Sequence, residues 1–415
     1  QDEYDYLYSS TERKKIVATL QSLFESITHK DLLFAIKNEK DLEKFLVGKN
    51  ERKKTPSLFK INPEELMSIK EFIDSNGSLN ITCHPNSQKL EKEFQKNNKY
   101  QSNISFPNFE KIALIGQGNT SNVYLANYNG EEVALKVIDK ANIYKGNLID
   151  KILLEKNILS SFPNESKMIC QMKLCFMTET KICFVLPFYK GGDLYNFLEK
   201  NESFNEQNTA FYAVQIAKML SFLHGKNIVY RDLKLENIMI DENGYLTLID
   251  FGSCKVVEEK TELQTSFEGS IDYVSPEVIS GEGHGFMTDW WSFGILVYEL
   301  LFGKAPFHEG STERILDLIT SSNLRFPSKV KLTPSTKEFL NKLLKKNPRE
   351  RLGQNEFSQI TSHQFFHGIN IQNIVSQKMS APLTPDNSGD SLSHFDVIYF
   401  NQDVENFGSS TDPST

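Results

Sequence analysis

Two short motifs in the middle of the chain carry side chains suited to chemistry. The first is Tyr-Arg-Asp-Leu-Lys-Leu-Glu-Asn at 230–237, and the second is Asp-Phe-Gly at 250–252. Their candidate reactive groups are Asp232, Lys234, Asn237 and Asp250. A carboxylate can accept a proton, an ammonium can neutralise negative charge, and amide and carboxylate oxygens are ligands that magnesium prefers. Either motif alone is an ordinary turn, but two in this order, about a dozen residues apart, make chance a poor explanation.

The two motifs resemble the catalytic loop and the metal-binding triplet of eukaryotic protein kinases, in the Tyr-Arg-Asp form common in the AGC group. The resemblance implies ATP and Mg²⁺ as cofactors and transfer of a phosphoryl group to protein substrates. That chemistry depends on positioning and on charge neutralisation. By resemblance, Asp232 accepts the proton of the substrate hydroxyl, Lys234 neutralises the phosphoryl group, and Asn237 and Asp250 are the metal ligands.

Composition narrows the class of protein. The chain has 415 residues and ordinary hydrophobic and charged fractions, which predicts two domains or one large domain with extensions. A formal net charge of -8 argues against a nucleic-acid partner. Five scattered cysteines without a Cys-x-x-Cys pair indicate reduced thiols, and the longest apolar run, 290–302, is too short and too polar to span a bilayer. We therefore expect a soluble cytoplasmic protein.

The sequence divides into four segments. Residues 1–50 form an N-terminal extension, in which an alternating stretch precedes an amphipathic helix. This resembles the end of a pleckstrin-homology-like domain, which would allow membrane or lipid contact, and a helical extension packed on the next domain is the alternative. Residues 51–108 read as a linker with a short helix, because they hold too few apolar residues for a core. Residues 109–366 resemble the α+β, two-lobe protein kinase fold, and residues 367–415 resemble the AGC C-terminal tail.

The small lobe should hold the nucleotide. Glycines at 116 and 118 allow backbone N–H groups to approach phosphates, although Ser121 replaces the usual third glycine. Lys136 lies in an otherwise apolar strand, where an ammonium is costly without partners; the resemblance supplies nucleotide phosphates and Glu155. A strand-edge lysine and ordinary core residues are the alternatives. The residues assigned to ATP by resemblance are Ile115, Gly116, Gln117, Gly118, Asn119, Thr120, Ser121, Val123, Ala134, Lys136, Leu186, Pro187, Tyr189 and Met239.

Residues 250–277 resemble an activation loop. Ser266, three residues before a glycine, occupies the position of the family's phosphosite, where an upstream kinase would act. A phosphate there would gather basic groups such as Arg231 and order the loop. Ser270 would lie near Asp232 and Lys234 and favour serine or threonine substrates. An unmodified serine in a loop is the ordinary alternative for Ser266.

Further carboxylates have positions with roles in the family. Asp193, Glu236 and Glu299 stand where basophilic AGC kinases face the substrate, so we expect arginine in the substrate. The remaining matches predict structural contacts. These are an ion pair of Glu277 with Arg351, and Asp289 capping its helix and holding the catalytic loop.

The tail leaves one question open. Pro-Leu-Thr-Pro at 382–385 and Phe395-Asp396 resemble elements of the AGC tail, but no terminal Phe-x-x-Phe-Ser/Thr-Tyr motif is evident. What fills the hydrophobic groove of the small lobe is therefore undetermined, and the N-terminal helices are one candidate. The alternative to an active enzyme is a pseudokinase or nucleotide-binding scaffold, against which the full set of catalytic residues argues.

Overall fold

The computed structural model describes residues 87–96, 98–118, 120–162, 167–257, 269–283, 285–353, 357–386, 388–389 and 392–395. The extension at 1–50, the helix expected near 63–73 and the acceptor Ser266 lie outside the described residues. The chain separates into two compact units, Gln1–Gln88 and Lys89–Thr415. The architecture below is that of the second unit.

The small lobe is an antiparallel five-stranded sheet with the order β1-β2-β3-β5-β4. Asn129 and Gly130 form the turn between the second and third strands, and both have positive φ, as a two-residue hairpin of this type requires. The strands are β1 (Glu110–Gln117), β2 (Ser121–Tyr128), β3 (Glu131–Asp139), β4 (Leu174–Met177) and β5 (Lys181–Pro187).

Three helices complete the small lobe: α1 (Ser87–Gln95), α2 (Lys140–Lys145) and α3 (Ile149–Ser161). Helix α1 falls in the stretch that the sequence predicted to be a linker. It differs from that expectation because Leu90 and Phe94 are buried in the same hydrophobic cluster as residues of α3 and β5. A segment poor in apolar residues can dock when the few it has lie on one face.

The large lobe is helical. Helix α7 is its central element, and every residue from Thr288 to Leu301 is buried. Its polar members need partners, and Ser292, for example, donates to the carbonyl of Tyr273. The helices after α3 are α4 (Leu194–Asn201), α5 (Glu206–Gly225), α6 (Pro276–Ser280), α7 (Phe286–Phe302), α8 (Thr312–Ser321), α9 (Pro334–Leu343), α10 (Phe357–Thr361) and α11 (Ile371–Val375).

Two short strand pairs carry the reactive motifs. They are β6 (Ile228–Val229) with β9 (Lys255–Val256), and β7 (Ile238–Ile240) with β8 (Leu246–Leu248). The first motif lies between β6 and β7, and the second follows β8. The α+β arrangement of a small β-rich lobe and a larger helical lobe, predicted from the sequence, is confirmed. Within the described residues, none of the helices combines the length and apolar character that crossing a bilayer requires.

Candidate active site

The catalytic loop is anchored by a carboxylate from the core of the large lobe. Asp289 accepts hydrogen bonds from the backbone N–H groups of Tyr230 (2.9 Å) and Arg231 (2.8 Å). Its Oδ2 also lies 2.7 Å from Nε2 of His224. The residue does not cap its own helix, since the N-cap of α7 is Gly285, without a side-chain cap. Arg231 has a φ of 69°, a strained conformation that these contacts over-determine.

Four side chains meet at the catalytic loop. Asn237 donates through Nδ2 to the backbone oxygen (2.8 Å) and Oδ2 (3.0 Å) of Asp232. Lys234 Nζ lies 3.3 Å from Oδ2 of Asp232 and donates to Oγ of Ser270 at 3.1 Å. Ser270 Oγ donates to Oδ1 of Asp232 at 3.4 Å. Asn237 and Ser270 therefore fix the orientation of the carboxylate, while the lysine supplies a positive charge beside it.

A second cluster joins the two lobes. Lys136 on β3 places Nζ 2.5 Å from Oε1 of Glu155 on α3 and 3.2 Å from Oδ1 of Asp250. The first pair is almost fully buried, with 12% and 3% of the two side chains exposed. Contact of one ammonium with both carboxylates requires α3 and the loop after β8 to face β3 together.

Electrostatics favours the charged forms of Lys136 and Asp250 in the second cluster, whereas burial raises the pKa of Glu155. Burial acts to lower the pKa of Lys136, but the charges of Asp250 and Glu155 outweigh it and hold that pKa above its usual value. The same lysine lowers the pKa of Asp250. The pKa of Asp232 is raised, mainly by burial, although Lys234 opposes the shift. Asp250 thus stays an anion, and Asp232 is the better proton acceptor of the two.

The donor set fits a magnesium ion. Asn237 uses its amide nitrogen on Asp232, which leaves the carbonyl oxygen as its acceptor, and Asp250 is held ionised. Magnesium in such sites takes one or two protein oxygens and completes its shell with water and substrate phosphates. When bound there, the ion would neutralise phosphate charge. Among the described residues no three His, Cys, Asp or Glu side chains gather as an all-protein metal cage.

Several of the predicted nucleotide residues lie at the end of β1 and in the connection to β2. Ile115, Gly116 and Gln117 end β1, and Gly116 faces Val123 across the β1–β2 pair. Gly118 donates to the carbonyl of Ser121 at 2.8 Å, which closes the loop. Thr120 directly precedes β2, and Asn119 lies outside the described residues.

Other predicted nucleotide residues lie on β3, β5 and β7 and in residues 188–192 after β5, which we call the hinge. Ala134 pairs with Leu186, Pro187 ends β5, and Met239 forms an isolated bridge with Asp193. Tyr189 turns its hydroxyl toward Thr247 and Cys170, and burial raises its pKa. The sequence did not predict that the Tyr189 hydroxyl bonds inward to Thr247 and Cys170, since nothing in the local pattern marks which way the ring turns.

The three carboxylates expected to face the substrate differ in their exposure and in their hydrogen bonds. Glu236 is exposed, whereas Asp193 caps α4 by accepting from the backbone N–H of Asn196 at 2.8 Å. Glu299 is buried and accepts from the hydroxyl of Tyr273; burial raises its pKa to about 7. The charge of Glu236 contributes to raising the pKa values of both Asp193 and Glu299, so the three carboxylates form one acidic cluster in which only Glu236 is exposed.

The predicted ion pair at the base of the activation loop is bidentate and buried. Arg351 donates from Nη1 and Nη2 to the two carboxylate oxygens of Glu277, at 2.7 and 2.9 Å. The side chains are 0% and 3% exposed. Arg351 also donates to the carbonyls of Lys345, Met287 and Lys346. This residue therefore holds the start of α6, the N-terminus of α7 and the loop before residue 353 together.

The tail reaches the hinge. Tyr212 donates to the carbonyl of Leu383 at 2.9 Å, and Phe395 stacks on Phe188 with ring centroids 5.2 Å apart. His394 is buried between Lys200, 2.9 Å from its Nδ1, and the carbonyl of Asp386, 2.6 Å from its Nε2. Sequence reasoning found Phe395 but missed His394, which no motif marks.

Comparison with known proteins agrees with this geometry. The family model for the protein kinase domain matches residues 109–366. The chain is 33% identical over 304 residues to RAC-beta serine/threonine-protein kinase A of Xenopus laevis, covering 72% of this chain and 61% of that protein. Human RAC-beta serine/threonine-protein kinase is 30% identical, with 81% and 69% covered.

A further relative is human serine/threonine-protein kinase Sgk1, 36% identical over 302 residues, with 72% of this chain and 69% of the relative covered. The chain spans about 61% of the length of the Xenopus relative. The matched family model covers more than half of the chain and includes every residue of the two polar clusters. The chain therefore belongs to the eukaryotic protein kinase family, in its AGC group of serine/threonine kinases.

Proposed function

We propose that this protein is an active enzyme that transfers the γ-phosphoryl group of ATP to serine or threonine in proteins, with preference for arginine-containing sequences. The observation that carries the proposal is the simultaneous contact of Lys136 with Glu155 and Asp250. Kinase catalysis needs both the lysine–glutamate pair and the metal-binding aspartate in place.

The side chains of the catalytic loop suit the reaction. The substrate hydroxyl gives its proton to Asp232 as its oxygen bonds to the γ-phosphorus, and the bond from that phosphorus to the β–γ bridging oxygen breaks, releasing ADP. Lys234, 3.3 Å from Asp232, neutralises charge on the transferred group. Asn237 holds the carboxylate in position.

The acidic cluster of Asp193, Glu236 and Glu299 supports the preference for arginine. Exposed Glu236 can pair with a guanidinium, and Asp193 and Glu299 add negative charge around it. Tyr195 lies within the field of all three and is 43% exposed, so it offers a ring face beside the carboxylates. Arginine binds carboxylates in a bidentate manner that lysine cannot match.

Two further parts of the proposal concern residues outside the described ranges. An upstream kinase would phosphorylate Ser266, and residues 1–50 would contact a partner or a lipid surface. Arg231 supports the first part, since its side chain donates to the carbonyl of Ser253 at 2.6 Å and so ties the catalytic loop to the activation segment.

An intracellular, cytoplasmic setting follows for an ATP-dependent enzyme with buried, reduced Cys170, Cys175, Cys183 and Cys254.

The test is transfer of labelled γ-phosphate from ATP and Mg²⁺ to an arginine-rich serine peptide by the full chain. Asp232→Ala and Asp250→Ala should each abolish most incorporation, while Asp317→Asn, an exposed carboxylate on α8, should leave it unchanged. A second peptide with alanine for arginine tests the preference. Equal turnover of the two peptides would contradict the arginine part, and turnover retained in Asp250→Ala would contradict the metal role.

If the chain binds ATP but shows no turnover, one more assay is required. Repeating the assay with Ser266 phosphorylated, or replaced by Asp, separates an inactive loop from a scaffold. Activity that appears only then would support the role of Ser266, and continued inactivity would favour the nucleotide-binding scaffold.

A further inference from the structure

We propose that the segment from Lys89 to Gln101 is a built-in positioning element that fills the groove of the small lobe and holds Glu155 against Lys136. The inference deepens the proposed function, because it concerns the ion pair on which that function depends. By groove we mean the surface that Lys140 of α2, Lys156 of α3, Cys175 of β4 and Phe184 of β5 present to the segment. The segment precedes the family-matched domain, which begins at residue 109.

Two apolar anchors place α1 in the groove. Leu90 and Phe94 are both fully buried and, four residues apart, lie on one face of the helix. Phe94 stacks on Phe184 of β5 with centroids 5.8 Å apart, and meets Tyr100 edge-on at 6.1 Å. A buried aromatic pair of this kind contributes beyond its area.

Polar contacts fix the helix against α2 and α3. Lys156 donates to the carbonyl of Glu93 at 2.6 Å, with its Nζ 5.4 Å from the centre of the Phe94 ring. The last carbonyls of a helix lack partners within it, so this lysine acts as a cap supplied by the neighbouring helix. Buried Lys140 of α2 pairs with Glu91 at 3.3 Å. Burial lowers the pKa of Lys156, so its charge depends on partners that α1 supplies.

The backbone after α1 extends the sheet. Gln101 donates to the carbonyl of Cys175 at 2.9 Å, and the N–H of Cys175 donates to the carbonyl of Lys99 at 2.9 Å. Tyr100 is thereby a parallel neighbour of Cys175 on the outer edge of β4. Covering an edge strand with main-chain hydrogen bonds holds the segment in a single register.

The contacts of α1 involve the immediate neighbours of Glu155 and Lys136. Lys156 directly follows Glu155 on α3, and both side chains are buried. Phe184 is the register partner of Lys136 across the β3–β5 pair. Helix α1 thus contacts one neighbour of each half of the ion pair. Without it, Lys156 would lose the carbonyls of Glu93 and Phe94 as acceptors, and α3 would lose the packing that holds it beside β3.

The experiment uses the full chain and four variants. Phe94→Ala removes the aromatic anchor, Lys156→Met removes the cap, Lys156→Arg retains a cation with donors, and Lys92→Ala changes an exposed residue of the same helix. Each protein is measured for kcat and for KM of the arginine peptide. Amide hydrogen exchange is followed in α3 and, as an internal reference, in α5 of the large lobe.

We expect Phe94→Ala and Lys156→Met to lower kcat about tenfold with little change in the KM of the peptide. Exchange should rise in α3 and stay constant in α5, and Lys156→Arg and Lys92→Ala should resemble the unmodified chain. Unchanged α3 exchange in both damaging variants would overturn the inference. So would an equal rise in α5, which would mean general destabilisation. If the unmodified chain shows no turnover even with Ser266 phosphorylated, the proposed function fails, but α3 exchange still decides this inference.

Discussion

At the scale of single residues, the large lobe contains a lysine in an unusual setting. Nζ of Lys346 lies 4.3 Å from the centre of the Phe307 ring and 5.1 Å from that of Trp291, and it donates to the carbonyl of Ile319. Burial, together with the nearby charge of Arg351, lowers its pKa to about 8. The ring faces favour a cation, but the loss of hydration outweighs them.

Replacing this lysine should stabilise the protein. Its pKa in the folded state lies below the ordinary 10.5, so below pH 8 both states carry the proton and the cost is present in full. Between about pH 8 and 10.5 the folded state releases its proton first, and the cost disappears. Because the side chain is only partly buried and screened, we expect Lys346→Met to gain about 1 kcal/mol at pH 7.

Urea unfolding at pH 7 and pH 10 measures that gain, with Lys345→Met, an exposed neighbour, as the matched control. The advantage of Lys346→Met should shrink at the higher pH. A loss of stability at pH 7 would mean that the ring contacts and the hydrogen bond to Ile319 outweigh the desolvation.

We predict that Glu299 makes the binding of an arginine peptide depend on pH. Its pKa of about 7 means that the carboxylate is largely protonated at pH 6 and largely ionised at pH 8. Only the ionised form attracts arginine, so the KM of an arginine peptide should fall several-fold over this range. The change should vanish in Glu299→Gln. Measuring both proteins in a His308→Gln background removes the charge of a nearby histidine that acts on Glu299. A pH dependence that survives Glu299→Gln would assign it to another group.

At the scale of elements, the docking of the tail depends on glycines of the hinge. A Cβ on Gly191 would lie 2.4 Å from the carbonyl oxygen of Ile240 and 2.7 Å from Cγ of Pro385. A Cβ on Gly192 would lie 2.6 Å from the carbonyl oxygen of His394. Glycine at 191 and 192 thus has a physical reason, since the tail packs directly on backbone that lacks side chains.

Gly192→Ala should therefore loosen the tail and weaken nucleotide binding. Gly130→Ala is the matched control, because Gly130 also has a positive φ (84° against 75°) but nothing lies within 4 Å of its Cβ. The two share the backbone cost of about 1 kcal/mol, and only Gly192→Ala adds a clash. We expect a several-fold rise in the KM of ATP for Gly192→Ala alone. Similar KM values in the two variants would show that the tail yields without consequence for the site.

At the scale of the whole molecule, motifs and packing differ in how far the sequence reveals them. Catalytic-loop and triplet residues could be predicted because phosphoryl transfer restricts their types and order. Docking of α1 could not, since it depends on two apolar residues in a polar stretch and on Lys156 about sixty positions later. The use of Asp193 as a cap and of Glu299 as an acceptor for Tyr273 also needs coordinates, since the sequence shows only that both are carboxylates.

The contact that joins distant parts of the large lobe most directly is the pair of Glu277 and Arg351, 74 positions apart. Removing one partner leaves the other as a buried, unpaired charge, so Arg351→Met and Glu277→Gln should each cost about 3–5 kcal/mol. The double change Glu277→Gln with Arg351→Met removes both charges and should cost less than the sum of the single changes. Denaturant unfolding of the four proteins in this cycle measures the coupling. Additive losses would mean that Arg351 acts through its three backbone carbonyls and its 5.1 Å contact with the Trp291 ring, and not through Glu277.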